Sequence, residues 1–182
     1  MAFKIQDDFN TEIKIVIDTY VVELYRKYWY KHNPRKKCEI KSPILESLNY
    51  WMTLNNFIMN TKKQKWGSFS QWLVEYYGFK GLNLTRCGVQ LLYYFKDNIR
   101  RDPDNYTPKH IHDGFVKGGL FADDSFKEIE YLIITRGTPD KMNPRTEFII
   151  RYDKNQKIEE KDDPKNGDTK KVKRKSKSKN KK

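Results

Sequence analysis

A chain of 182 residues is long enough for one compact domain with extensions, since a typical domain runs about 100–150 residues around its own core. Hydrophobic residues make up only 37%, but Tyr 12, Phe 10 and Trp 4 supply large rings with which to fill that core. Lys+Arg 37 against Asp+Glu 24 leaves +13, which favours a polyanionic partner, nucleic acid first, and no segment approaches the roughly 20 uninterrupted apolar residues of a membrane-spanning helix.

The opening MAFKIQDDFNTEIK carries acids and no signal-type apolar stretch, so a soluble cytoplasmic protein is expected. Cys38 and Cys87 stand far apart without a CxxC pair. Neither a structural zinc site nor a disulfide framework is indicated, and both thiols are expected to be reduced and inert.

From Thr11 to Tyr30 the chain is rich in β-branched and aromatic residues. Ile13, Ile17, Val21, Leu24 and Tyr28 recur at nearly helical spacing, while Ile13, Ile15 and Ile17 also alternate as in a strand. The pattern leans to helix and leaves the strand open. The basic linker HNPRKKCEIKSP, with its prolines, ends the element. From Leu54, Phe69, Trp72, Leu73 and Tyr76 follow the i, i+3, i+4, i+7 rule of an amphipathic helix that Gly78 can close. Its Lys62, Lys63 and Lys65 suit phosphate contact or an ordinary solvated face equally well.

Val89, Leu91, Tyr93 and Phe95 lie on one side of an alternating run, as a half-buried strand requires, and this strand delivers IRRDPDN at its end. A short helix is expected next, with Thr107 as cap, Pro108 in the first turn and Gly118-Gly119 as its stop. After the ADDS turn, FKEIEYLIITRG predicts a strand with Ile129, Tyr131 and Ile133 on one side, and RTEFIIRYD a last one. The expected fold class is α+β, a small mixed β-sheet with helices packed on it. Residues 1–44 read as an N-terminal extension, 45–152 as the domain and 153–182 as a disordered Lys-rich tail able to raise affinity for any nucleic acid.

The chemistry-bearing constellation is RRDPDN, Lys109 and Asp113 on the following helix, and Asp123-Asp124 in the turn after it. In an extended segment i and i+2 share a face, so Asp102 and Asp104 are expected to converge. Lys109 and Asp113, four apart, are helical neighbours. Phosphodiester cleavage needs an activated water, neutralised phosphorane oxygens and a stabilised leaving alkoxide. Carboxylate-held magnesium provides these, with manganese as a possible substitute, and Lys109 would serve as a mobile charge for the scissile phosphate. DPD and DDS are also common in surface turns. Their clustering between RR and a lysine-bearing helix in so basic a chain is what favours a site. His110 and His112 point about 200° apart on a helix, so a helix-surface role is expected for them and not a shared metal.

The order RRDPDN, Lys109, Asp113, KGGLFADDS and FKEIEYLIITRG resembles the RusA family of Holliday junction resolvases, over roughly 45–151 and most specifically from Arg100 to Gly137. Tyr106, Thr107 and Pro108 make the Asn105–Lys109 interval one residue longer than the family's usual spacing. The resemblance implies a RusA-like domain with catalytic Asp102, Asp104, Lys109 and Asp124, and Asp102, Asp104, Asp113, Asp123 and Asp124 around magnesium, Asp123 in support. It also implies a homodimer nicking opposed strands of four-way junctions in recombination and repair, leaving 5′-phosphates, with no small-molecule cofactor. Arg86, Arg100, Arg101, Lys117 and Arg136 are candidate DNA-backbone contacts. The competing readings are a non-catalytic basic DNA-binding protein and a nuclease for other branched DNA.

Overall fold

The computed structural model describes residues 8–156. In it the N-terminal stretch divides at Asp18. Strand β1 (Thr11–Ile17) buries Ile15 and Ile17, and helix α1 (Thr19–His32) follows at once. Asp18 has extended backbone, and its carboxylate accepts the Val21 N–H at 2.8 Å. A capping aspartate thus ends one period and starts the other. The alternation of Ile13, Ile15 and Ile17 holds in β1, whereas the helical series does not: α1 buries Val21, Val22, Tyr25 and Trp29 and leaves Tyr28 exposed, and the single helix the pattern leaned to is not formed.

The chain continues through α2 (Leu48–Met52), α3 (Asn56–Tyr76), β2 (Cys87–Tyr94), a 3-10 turn (Pro103–Asn105), α4 (Lys109–Lys117), β3 (Ile129–Arg136) and β4 (Arg145–Tyr152). The four strands form one mixed sheet in the order β1-β4-β2-β3. β4 is antiparallel to β1 and β2, whereas β2 and β3 are parallel. Ile15, Phe148, Leu91 and Ile134 stand in one row across all four strands. This row lies on the face that meets the helices; on β3 a register shift between Cys87 and Gly88 breaks the expected Ile129, Tyr131, Ile133 alternation and brings Ile134 to that face in place of Ile133. The fold is α+β, a small mixed sheet with helices packed on it, as the sequence led us to expect.

β1 pairs along β4, and α1 buries Val21, Val22, Tyr25 and Trp29 in the same core as Phe69 and Leu73 of α3. Tyr25 and Phe69 have ring centroids 4.8 Å apart. The boundary drawn at residue 44 therefore separates no structural unit. The linker is also tied down: Thr146 Oγ1 donates to the Pro43 carbonyl at 2.7 Å, and Glu46 accepts from Lys62 Nζ at 2.7 Å and Trp66 Nε1 at 3.3 Å. The disorder expected of the tail lies, from residue 157 on, outside the described residues. No described helix is long and apolar enough to cross a membrane. Cys38 and Cys87 are free and buried.

What fixes α4 is its seam with α3. A methyl group at Gly114 would stand 2.3 Å from Ser70 Cβ and 2.8 Å from the Gly67 carbonyl oxygen. Only hydrogen fits there, so the two helices approach backbone to backbone. α4 also buries Ile111, His112 and Phe115, the last two against Phe148 of the sheet, leaving Lys109, Asp113 and Lys117 on its outer side.

Candidate active site

The acidic segments are carried by a parallel strand-helix-strand unit, β2–α4–β3. RRDPDN follows the C-terminal end of β2. The ADDS turn precedes the N-terminal end of β3, whose first residue, Ile129, registers with Cys87, the first of β2. The Leu84–Phe121 bridge anchors the approach to that turn at the same end. An eight-residue strand spans roughly 26 Å, so the chain delivers its two acidic turns at opposite ends of the parallel pair. α4 runs between them.

Asp113, midway along α4, meets Asp124. Partial burial holds the Asp124 carboxyl above its usual range, followed by the charge of Asp113 and then of Asp123, and by a hydrogen bond with Asp113. A neighbouring negative charge disfavours ionisation, so Asp113 and Asp124 act on one another as like charges. Gly119, with φ +76, turns the chain after α4 in a conformation that favours glycine.

Asp102 and Asp104 do not join this pair. Among the described residues, no three His, Cys, Asp or Glu side chains come within reach of one ion. The expected i, i+2 convergence also fails locally. Pro103–Asn105 winds into a 3-10 turn, which rotates about 120° per residue, so the extended geometry behind that expectation is absent. Asp102 instead lies 3.7 Å from Arg100, in a shallow depression with Ser47, Asn49 and Asn105. Asp104 is exposed. Thr107 does not cap α4. Pro108 takes the N-cap position with no side-chain cap bond, and its carbonyl accepts from Ile111 at 2.8 Å and His112 at 2.9 Å.

The candidate cations differ in availability. Arg86 is bound to Glu130 and, at 3.0 Å, to Asp8. Arg101 donates to Asp97 at 2.7 Å and lies 4.3 Å over the Phe95 ring. Both are engaged in holding loops. Arg136 donates to Asn98 at 3.0 Å from an exposed position. Arg100, with a 91% exposed side chain, Lys109 and Lys117 face solvent. Lys62 is taken up by Glu46, and Lys65 lies 4.2 Å over Trp29.

The histidines depart from the surface role expected of them. His112 is buried among Phe115, Phe121 and Phe148, its Nε2 without a hydrogen-bond partner, and burial pushes its pKa down to about 4. His110 is half-buried against Trp51 at 4.2 Å, and desolvation lowers its pKa. A histidine is not an apolar residue by type, so its position in the sequence carried no signal for the burial.

No protein-family pattern and no curated protein matches this chain.

Proposed function

We propose that the chain is a magnesium-dependent endonuclease acting on branched DNA, and within that class a RusA-type resolvase that works as a homodimer on four-way junctions. The observation that carries this reading is the Asp113–Asp124 carboxyl pair on the exposed side of α4. Magnesium is commonly held by one or two carboxylates, with waters and substrate phosphates completing the shell, so this donor set fits it. Bound there, it would lower the pKa of a water and neutralise charge on the phosphorane oxygens. Asp113 and Asp124 would hold the ion, and proton loss from the pair is coupled to binding it. Lys109, one helical turn before Asp113, would present its ammonium group to the scissile phosphate. Arg100 and Lys117 would hold flanking phosphates. For Asp102 and Asp104 to act on the same phosphate, the 95–108 loop must close on bound DNA or a second protomer must supply them.

The test is cleavage of a synthetic four-way junction beside matched linear duplex, with magnesium or manganese. The expected outcome is paired nicking of the junction, reduced at least about 100-fold in Asp124→Asn or Asp113→Asn, the scale of losing one electrostatic contact at a reacting centre. Unchanged scission in a folded Asp124→Asn protein overturns the reading. Equal cutting of junction and duplex removes the resolvase assignment and leaves the nuclease.

The delivery of the two acidic turns at opposite ends of β2 and β3 favours a second reading, a basic DNA-binding protein whose acids are structural. It is distinguished by junction binding without cleavage in any divalent metal.

A further inference from the structure

We propose that the groove between α1, α3 and the end of α4 binds unpaired nucleotides of single-stranded or branched DNA, stacking a base on its aromatic row and holding phosphate with lysine. The groove has a volume of about 380 Å³. Tyr28 and His32, an i, i+4 pair on α1, line it opposite Trp72 of α3, and Tyr76, one helical turn on, stacks against Trp72 outside the lining. Their rings form a continuous row, with centroid distances of 4.4 Å for His32–Tyr28, 6.1 Å for Tyr28–Trp72 and 4.9 Å for Trp72–Tyr76. Core aromatics do not usually remain open, yet Tyr28 is 43% and Tyr76 45% exposed.

Lys80 and Lys117 stand in the groove wall; Glu75 also lines it, 3.8 Å from Lys80, in an exposed pair that water and phosphate can readily break. Aromatic faces flanked by mobile ammonium groups are what a single strand requires, because every base has a π face and every linkage a negative charge. A duplex end or small apolar ligand uses only half of this chemistry. Lys117 is four residues beyond Asp113 on the outer side of α4, so a strand in the groove passes beside the carboxylate pair. The proposal rests on the nucleic-acid part of the function above and is independent of cleavage.

The experiment is binding of a labelled oligo-dT of about 12 nucleotides to the full chain, without divalent metal and with chelator, beside an abasic oligomer of equal length. Salt of about 0.5 M screens the contribution of long-range charge. The expected result is oligo-dT bound about 10-fold more tightly than the abasic strand, with the preference lost in Tyr28→Ala. Trp29, Trp51 and Trp66 are only 8%, 6% and 6% exposed, so oligo-dT should quench chiefly Trp72. That quenching should vanish in Trp72→Phe, which keeps a ring in the packing. Equal affinity for the two oligomers overturns the proposal, as does a preference that survives in Tyr28→Ala. Because metal is withheld, such a failure leaves the nuclease reading standing, and failure to cleave leaves the groove standing.

Discussion

Asp124 carries its carboxyl beside that of Asp113, and at neutral pH the fold tolerates their repulsion. Its pKa is raised on folding, so the folded state holds the proton more tightly than the unfolded chain. The ionised pair therefore costs stability at neutral pH, and the cost is relieved as pH falls through the raised value. Asp124→Asn should accordingly raise the melting temperature while abolishing metal-dependent nicking; a thermal melt beside a cleavage assay checks both. Asp113→Asn should bring the Asp124 carboxyl down towards the ordinary range, read by carbon NMR titration. His112 has the opposite linkage. Its folded pKa of about 4 lies below the unfolded value near 6.5, so between these limits only the unfolded state takes the proton. Stability should fall by up to about 3 kcal/mol as pH drops across that window. Denaturant unfolding at several pH values measures it, and His112→Phe should flatten the dependence.

At the scale of elements, α4 matters most, since it carries Lys109, Asp113 and Lys117 and is held by a seam that admits no side chain at Gly114. Gly114→Ala should force the helices apart at about 1–3 kcal/mol, the usual range for overpacking, and shift Asp113 away from Asp124. The check is reduced denaturant stability together with a lowering of the Asp124 titration, since the charge of Asp113 is one cause of its raised value. Most elements were legible in sequence because a single period ran through each. Val89, Leu91, Tyr93 and Phe95 alternate on β2 and just past its end and are buried; Phe69 and Leu73 repeat on α3 and are buried. Trp72 shares that helical stripe but comes out at a groove, and Tyr76 is exposed, because α1 covers only part of the stripe. Where two periods abutted, at Asp18, no window average could separate them. A cap is a hydrogen bond of one side chain, not a repeat.

Over the whole molecule, basic charge is unevenly available. Arg86, Arg101 and Arg145 are committed to carboxylates within the fold, whereas Lys109 and Lys117, among others of the described residues, face solvent. Removing residues 157–182 should leave the unfolding transition unchanged and reduce the salt dependence of DNA binding, since the slope of log affinity against log salt scales with the number of phosphates the protein neutralises. Calorimetry and a salt titration test the two halves. The sequence alone determined the α+β class, the strands and helices with clean periodicity, the net positive charge and where its acidic residues cluster along the chain. These depend on composition and on neighbours a few positions apart. Tertiary structure decided that Asp113 meets Asp124, that Asp102 and Asp104 stand apart from them, that residues 11–32 complete the sheet and core, and that His112 is buried. The physical reason is strand direction. Parallel pairing of β2 with β3 sends their connecting helix back along the sheet and places the two acidic turns at opposite ends, and sequence spacing contains no measure of that direction.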